Sequence, residues 1–530
     1  MKPVSPLTCL TRGVYRKAAI RAIEEAALAS VPVGELMRAA GKAASDLVQA
    51  NLTPRDGAIL ILAGPGNNGG DALEAAQLLA AQAYSVHIAL CGDSMHFSME
   101  AGLSLQQAQA SPAIFIKVEQ VLNDPLAAYA LVIDGIFGIG LSREITTDSE
   151  LGKLIQHINR LSKQFAIPVL ALDVPSGLDA DSGQLIGQHG IAIKAHTTLT
   201  FIADKPGLHT AAGQDYAGQV LLAELGIASS YFPPPPGVLS HSAMFAEVLK
   251  PRLLDSHKGS YGEVLVIGGA NGMAGAPILA ASAALYCGAG RVYVGFMESP
   301  PQYDPQHPEL MCRLAAGLDF SKPCVVIGPG LGNSEQAASL LATALQQAPR
   351  IVLDADALNL IAGSAPLQAL LQARSHTQAQ NQKISIMTPH PLEAAHLLGV
   401  STAQVQADRW QAACDLANKF QATIILKGAG SIIATPQMPL CINTSGNPAL
   451  ASGGTGDVLA GVCGALLAQQ LDANDAARMA TWLHGRAADQ LVENGYGPIG
   501  LTASELIPAI RKCLNQLQNT DLNALSFPLS

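Results

Sequence analysis

The segment NTSGNPALASGGTGDVLAG, residues 443–461, places five glycines around a single carboxylate, Asp457. Glycine is costly inside regular elements, so such a cluster indicates that the backbone itself must approach another group closely. The apolar run that follows, VLAGVCGALLAQQL, predicts a helix. Residues 453–456 would present backbone N–H groups to an anion at the positive end of that helix. The segment therefore predicts a phosphate-binding loop.

Asp457 falls in the first turn of this helix, beside the predicted phosphate. A carboxylate at this position would repel phosphate, so its presence there needs a chemical explanation. It could take a proton from a hydroxyl that attacks the phosphorus, while backbone N–H groups stabilise the charge that develops. Taken alone, a G-x-G-D sequence is explained as well by an acidic residue that caps the helix.

A run of four prolines in YFPPPPGVLS, residues 231–240, divides the chain. Proline runs cannot enter helices or inner strands, so this segment predicts a stiff linker. On both sides, short apolar strands such as AILILAG and GEVLVIGGA alternate with Ala/Leu-rich helices. That alternation predicts parallel sheets covered on both faces. A length of 530 residues suits two such α/β domains, at 1–230 and 241–520.

Composition excludes several classes of protein. The net charge of −10 and the lack of basic clusters argue against a nucleic-acid surface. The nine scattered cysteines never form a C-x-x-C pair, which is typical of free thiols in a reducing compartment. Neither a signal peptide nor a run of about 18 apolar residues is present in the sequence. We expect a cytoplasmic protein that does not bind membranes.

Polar and glycine-rich clusters follow the strands of the first half. AGPGNNGGD precedes a helix, and Asp134 and Asp173 end two further strands in VIDGIFGIGL and ALDVPSGLDADSG. Each feature alone is explained by an ordinary turn. Because ligands bind at the carboxyl ends of parallel strands, three clusters at one edge favour a site.

The second half repeats this arrangement with different motifs. IGGANGMAGAP, VVIGPGLG, VLDADALNL, MTPHPLE and ILKGAG all follow predicted strands. The small side chains after IGGANG either let a ligand lie against the backbone or allow tight packing of a helix on the sheet. His390 lies between two prolines at a strand end, where a ligand contact is plausible, although isolated histidines are more often structural.

Together, GPGNNGGD, DGIFGIGL, DVPSGLDADSG and TFIADKPGL closely resemble the NAD(P)H-hydrate epimerase family over residues 10–228. The resemblance implies a Rossmann-like domain. It also implies a K⁺ site, which the preference of hard cations for oxygen ligands makes reasonable. Lys205 matches the family pattern but is also explained as a surface charge. The residues implied to contact the hydrated nucleotide are Asn67, Asn68, Gly69, Gly70, Asp71, Gly138, Ile139, Gly140, Leu141, Ser142, Arg143, Glu144 and Asp173; those for K⁺ are Asn68, Asp134 and Ser176.

Asp173 is the candidate acid/base residue of this half, because epimerisation at a carbon that bears a hydroxyl needs proton transfer near neutral pH.

HKGSYG, VIGGANGMAGA, GPGLG, DADAL, TPHPLE, LKGAG and GGTGD resemble the ADP/ATP-dependent NAD(P)H-hydrate dehydratases of the ribokinase-like superfamily, over residues 255–515. The resemblance implies phosphorylation of the hydrate's hydroxyl followed by loss of phosphate, with ADP as co-substrate and Mg²⁺ as cofactor. Asp457 would be the catalytic base. The residues implied to bind the hydrate are Ala276, Gly330, His390 and Asp457; those for the nucleotide are Lys427, Gly428, Ala429, Gly430, Ser431 and Gly456.

Joined, the two halves predict a bifunctional repair enzyme. It would epimerise the hydrates of NADH and NADPH and dehydrate the S form with ADP or ATP. Two alternatives stay open: the second half could be a small-molecule kinase, and the first half could be a nucleotide-binding module without catalytic activity. We expect the protein to form a homo-oligomer.

Overall fold

The computed structural model describes residues 13–92, 97–125, 128–245, 248–374 and 383–524. The chain divides into two units, Met1–Val238 and Leu239–Ser530. The boundary falls inside the segment 231–240. No helix in the described ranges has both the length and the apolar character that a membrane span requires.

The first unit alternates strands and helices, as predicted. Its strands are β1 (Gly13–Val14), β2 (Ala58–Ala63), β3 (Val86–Leu90), β4 (Ile114–Ile116), β5 (Tyr129–Gly135), β6 (Val169–Leu172), β7 (Thr197–Phe201) and β8 (Gln219–Ala223). Strand β9 (Gly237–Leu239) begins in this unit and ends at the first residue of the second. The helices of the first unit are α1 (Lys17–Leu28), α2 (Glu35–Gln49), α3 (Asn67–Ala81), α4 (Met99–Gln109), α5 (Val118–Asn123), α6 (Glu150–Phe165) and α7 (Gly213–Tyr216).

The main sheet of this unit is parallel throughout, in the order β4-β3-β2-β5-β6-β7-β8. Ile59 and Ile61 of β2 belong to one buried cluster, while Leu60 and Leu62 belong to another. Because successive side chains of a strand point to opposite faces, both faces of the sheet are covered. The strand order reverses direction between β2 and β5, as in Rossmann-like sheets.

The second unit contains more helices. Its strands are β10 (Glu263–Gly268), β11 (Arg291–Phe296), β12 (Met311–Leu314), β13 (Cys324–Ile327), β14 (Arg350–Leu353), β15 (Ile384–Met387), β16 (Thr423–Leu426), β17 (Ile432–Ala434) and β18 (Leu440–Ile442). Its helices are α8 (Gly275–Tyr286), α9 (Glu335–Gln347), α10 (Ala355–Ala362), α11 (Ala365–Ala373), α12 (Pro391–Leu398), α13 (Thr402–Ala407), α14 (Arg409–Phe420), α15 (Thr455–Ala468), α16 (Ala473–Glu493) and α17 (Ala503–Ala524).

In the second unit the strand order is β18-β17-β16-β15-β14-β13-β10-β11-β12, with a reversal between β10 and β13. Pairing is parallel from β16 to β12. It is antiparallel between β16, β17 and β18; β17 and β18 are two short strands that were not predicted from the sequence. The connections there are too short for a parallel crossover, which needs about a dozen residues or more.

Candidate active sites

The first unit has a cleft of about 400 Å³ at its strand-order reversal. The loop after β2 forms one wall and the loop after β5 forms another. Ligands of open α/β sheets bind at this position, because adjacent loops there turn to opposite faces. Eight predicted contact residues line the cleft: Asn67, Asn68, Asp71, Gly138, Ile139, Gly140, Leu141 and Asp173.

The other five predicted contacts do not line this cleft. A Cβ at Gly69 would lie 1.8 Å from the Gly64 carbonyl oxygen, and one at Gly70 would lie 2.5 Å from Met37 Sδ. A side chain at either position would clash, so both glycines allow α3 to pack closely against its neighbours. Ser142 and Arg143 are exposed. Glu144 accepts a hydrogen bond from the His189 backbone N–H.

Asp173 is held at the end of β6 in a left-handed conformation, with φ of 63°. Its Oδ1 lies 2.8 Å from Lys205 Nζ, and its Oδ2 accepts a hydrogen bond from the Ile139 N–H at 3.1 Å. A Cβ at Gly138 would lie only 2.6 Å from Asp173 Oδ2, so glycine is needed there for the carboxylate to approach.

Lys205 is completely buried, so its interpretation as a surface charge was wrong. Besides the Asp173 pair, its ammonium group donates to Thr200 Oγ1 at 2.6 Å and to two backbone carbonyls. A buried ammonium with this set of acceptors is fixed in position, and it fixes Asp173 in turn.

The three predicted K⁺ ligands lie on neighbouring elements, and of the three Asn68 lines the cleft. Ser176 Oγ donates to Asp134 Oδ1 at 2.6 Å, and the Ser176 N–H donates to Asp134 Oδ2 at 2.8 Å. Burial raises the pKa of Asp134 to about 6, although these hydrogen bonds oppose the shift. Asn68 Nδ2 donates to the Leu172 carbonyl at 3.1 Å, while its Oδ1 is buried without a hydrogen-bond partner.

Several lining residues were not predicted from the sequence. Arg21 and Glu24 come from α1, and Glu100 comes from α4. Burial raises the pKa of Glu24, and the neighbouring Asp173 and Glu100 add to that shift. These residues belong to helices without a glycine-rich motif. Nothing in their local sequence distinguishes them from other surface charges.

In the second unit, two of the predicted hydrate contacts meet at the reversal between β10 and β13. The Gly330 carbonyl accepts a hydrogen bond from the Ala270 N–H at 2.9 Å. A Cβ at Gly330 would lie 3.3 Å from the Cβ of Ala276, the second residue of α8. Gly330 has a φ of 58°, a conformation that glycine adopts without strain.

The strand ends beside this reversal carry a charged cluster. Lys427 Nζ, after β16, lies 2.9 Å from Asp354 Oδ1 and 3.9 Å from Glu393 Oε2. Thr388 Oγ1 donates to Asp354 Oδ1 at 2.6 Å. Burial raises the pKa of Glu393 to about 7. A Cβ at Gly456 would lie 3.5 Å from Lys427 Nζ, which brings the loop before α15 to the same cluster.

His390 forms the N-cap of α12. Its Nδ1 accepts hydrogen bonds from the backbone N–H groups of Leu392 and Glu393, while the His390 backbone N–H donates to Glu393 Oε2 at 2.7 Å. Burial and the nearby Lys427 lower the pKa of His390. The side chain is 46% exposed, so it combines a structural cap with access to solvent.

Asp457 lies in the first turn of α15, as predicted. The N-cap is Gly454, with φ of 86°, and no side chain forms a cap hydrogen bond. The explanation of Asp457 as a capping residue therefore finds no support. Burial raises the pKa of Asp457 to about 7; Asp354 adds to the shift and Lys427 opposes it. The carboxyl group can thus exchange a proton near neutral pH.

The predicted nucleotide loop, residues 427–431, is held from below by Arg409 of α14. This buried guanidinium donates to the carbonyls of Leu426, Lys427 and Ala429. A Cβ at Gly428 would lie 2.8 Å from Arg409 Nη2. Arg409 was not predicted from the sequence, because it lies in an ordinary helix before the strand.

His484 of α16 is a further residue of this region, and it lies beside the loop that precedes α15. It is 8% exposed, and its imidazole forms a hydrogen bond with the backbone of Thr455, the first residue of α15. Burial lowers the pKa of His484 to about 4, so the imidazole is neutral at physiological pH.

Comparison with known proteins gives two family matches. Residues 33–207 match the YjeF-related protein N-terminus, and residues 264–512 match the NAD(P)H-hydrate dehydratase family. The second match confirms the ribokinase-like fold predicted for that unit.

Three relatives show how far the similarity extends. The chain is 39% identical over 513 residues to the bifunctional NAD(P)H-hydrate repair enzyme Nnr of Coxiella burnetii, covering 95% of this chain and 99% of that protein. It is 35% identical over 508 residues to the Escherichia coli enzyme of the same name, covering 94% and 93%. Its second half is 42% identical over 286 residues to the ADP-dependent (S)-NAD(P)H-hydrate dehydratase of Neisseria meningitidis, covering 53% of this chain and 94% of that protein.

Proposed function

The chain belongs to the family of bifunctional NAD(P)H-hydrate repair enzymes, and on that premise we propose how its two units divide the work. The first unit interconverts the R and S epimers of NAD(P)H hydrate. The second unit dehydrates the S form with ADP, giving NAD(P)H, AMP and phosphate. The observation that carries this proposal is that each sheet gathers several of its motif residues at or beside its own strand-order reversal.

The alternative of a small-molecule kinase joined to an inactive module is not favoured. Both halves match families of the repair enzyme over most of their length. In addition, Asp173 and its buried Lys205 form a charged pair that a passive binding module does not need.

In the dehydratase unit, Asp457 takes the proton of the hydrate's hydroxyl as that oxygen attacks the terminal phosphorus of ADP. The N–H groups at the start of α15 and the Lys427 ammonium stabilise the charge on the transferred phosphoryl group. The carbon–oxygen bond then breaks and its electron pair leaves with phosphate, a far better leaving group than hydroxide. The adjacent ring carbon loses a proton to water, which restores the ring double bond. Ala276, Gly330 and His390 bind the hydrate, and residues 427–431 with Gly456 bind the nucleotide.

K⁺ fits the first unit. The buried oxygen of Asn68 lacks a partner, and oxygens are also supplied by Asp134, near the end of β5, and by Ser176, in the loop after β6. Oxygen ligands of this kind suit a hard monovalent cation. The ion would supply a positive charge that helps to bind an anionic nucleotide.

The described residues support a Mg²⁺ site less well than the K⁺ site. The described residues include no group of three or more His, Cys, Asp or Glu side chains arranged to hold a metal. We therefore assign it no protein ligands and derive no step from it.

Cytoplasmic location remains a prediction. It is supported by the eight cysteines in the described part of the chain, all of which are free thiols. Cys9 lies outside the described residues.

The proposed function is tested by incubating the purified protein with mixed epimers of NADH hydrate, with and without ADP. With ADP, we expect recovery of dihydronicotinamide absorbance together with release of an equal amount of phosphate. Without ADP, we expect only interconversion of the epimers. Accumulation of a phosphorylated product without recovery of absorbance would instead indicate a kinase.

A further inference from the structure

Asp173 and Asp71 line the same cleft in opposite electrostatic surroundings. Asp173 pairs with the buried ammonium of Lys205 at 2.8 Å and accepts the Ile139 N–H at 3.1 Å. A nearby cation and a hydrogen bond to the charged form both stabilise an ionised carboxylate. Asp173 is therefore equipped to accept a proton.

Asp71 has neither kind of support. It lies near the start of α3, and none of the described residues forms a hydrogen bond or ion pair with its carboxyl group. Burial raises the pKa of Asp71 well above its usual range, and the carboxylates of Asp173, Glu24, Glu74 and Glu100 add to the shift. The basic groups on this side are Arg21, on the cleft wall, and Lys205, which already serves Asp173.

We propose that Asp71 is the general acid and Asp173 the general base of the epimerisation. The proposal rests on the function proposed for this unit and assigns the proton transfers within it. Two carboxyl groups in one cleft, of which one pairs with a fixed cation and the other has no such partner, are the usual arrangement for paired acid and base catalysis.

The chemistry of the hydrate requires such a pair. Water adds to an enamine at the carbon bonded to nitrogen, so the hydroxyl-bearing ring carbon is a carbinolamine. Asp173 removes the hydroxyl proton, the carbon–nitrogen bond breaks to give an aldehyde, and the electron pair goes to the ring nitrogen, which takes the proton of Asp71. Rotation about the adjacent carbon–carbon bond exposes the other face of the aldehyde.

Ring closure then reverses each transfer. The nitrogen attacks the carbonyl carbon, its proton returns to Asp71, and the new alkoxide takes the proton from Asp173. Both carboxyl groups regain their starting state and no further reactant is consumed, as an isomerisation requires.

The test is the full-length Asp71→Asn variant, assayed without ADP so that the second unit does not consume substrate. Epimer interconversion is followed by chromatography, after subtraction of the rate without enzyme. We expect kcat to fall about 10²–10³-fold, with KM little changed, because an amide cannot supply the proton. Asp71→Glu should recover part of the rate. Asp46→Asn, on the exposed face of α2, is the matched control.

The pH profile provides a second readout. Since the acid must be protonated, the wild-type rate should fall as pH rises through the pKa of Asp71. Glu24→Gln removes one like charge, which lowers that pKa and should move this limb of the profile to lower pH.

Three results would overturn the proposal: a near wild-type kcat for Asp71→Asn, an increase in KM alone, or a limb that Glu24→Gln does not move. If the wild-type protein fails to interconvert the epimers, the proposed function itself is wrong. A circular dichroism spectrum of each variant checks that it is folded.

Discussion

At the scale of single residues, each unit places a lysine beside a carboxylate, but the two pairs differ. In the first unit Lys205 contacts the proposed base, Asp173, directly. In the second unit Lys427 contacts Asp354, and the proposed base Asp457 lies outside that pair. Burial raises the pKa of Asp457 to about 7, with a further contribution from Asp354, and the nearby Lys427 only partly opposes this shift.

A carboxyl group whose pKa is raised on folding destabilises the protein at high pH. For Asp457 this cost is absent below its unfolded pKa near 4, grows as pH rises, and is complete above about 7. Asp457→Asn should therefore raise the midpoint of thermal unfolding at pH 8, and the difference should narrow as pH falls towards 4. Its ADP-dependent dehydration should nevertheless fall about 10²–10⁴-fold.

Differential scanning calorimetry across this pH range, together with absorbance recovery, checks both effects. Asp255→Asn, at an exposed position of the same unit, is the matched control. A variant that repairs hydrate at the normal rate, or that is less stable than wild type at pH 8, would contradict the role of Asp457.

At the scale of elements, the nucleotide loop between β16 and β17 depends on α14. Arg409 is nearly completely buried, and its guanidinium donates to three carbonyls of residues 426–429. Arginine is suited to this role because its planar group presents several donors in a fixed geometry. Arg409 is therefore a positioning residue, which acts on the nucleotide through the loop.

Arg409→Lys should disturb the loop, because one ammonium cannot satisfy the same carbonyls. We expect the KM for ADP to rise about tenfold, equivalent to about 1.4 kcal/mol, with a smaller change in kcat. Initial rates at varied ADP measure this, and epimerisation without ADP is the internal control. A lower unfolding temperature with an unchanged KM for ADP would show that Arg409 supports only stability.

The individual helices and strands also show which parts of the structure could be predicted from the sequence. The apolar run AILILA and the loop GPGNNGGD were sufficient to predict β2 and the cleft beside it, since strand pattern and glycine chemistry are local. Arg409 and Glu24 were missed because their helices reach the sites only through tertiary packing. The antiparallel β17 and β18 were missed because three-residue apolar runs do not specify direction.

At the scale of the whole molecule, the proline segment belongs to the first unit. The Tyr15 hydroxyl donates to the Pro233 carbonyl at 2.8 Å, and the Tyr15 ring packs edge-on against Phe232 at 6.0 Å. Val14 and Gly13 of β1 pair with Gly237 and Val238. The natural division of the chain is therefore after Val238.

Division at this point should yield two fragments, 1–238 and 239–530, that fold separately, because each retains every strand of its own parallel sheet, β2–β8 in the first and β10–β16 in the second. The fragment 1–230 loses both the acceptor for Tyr15 and the β1 partner, so it should unfold at a lower temperature than 1–238. Equal unfolding temperatures would show that the proline segment contributes nothing to the first unit.

The separated fragments also test the division of labour between the units. With ADP and mixed epimers, fragment 239–530 should consume one epimer and then stop, because it has no means of inverting the other. Addition of fragment 1–238 should drive the reaction to completion, and Asp173→Ala in that fragment should remove the effect. The epimers also interconvert without enzyme, so the rate just after the first plateau is the quantity to compare. If fragment 239–530 consumed both epimers equally fast, or if fragment 1–238 changed nothing, the first unit would not be an epimerase.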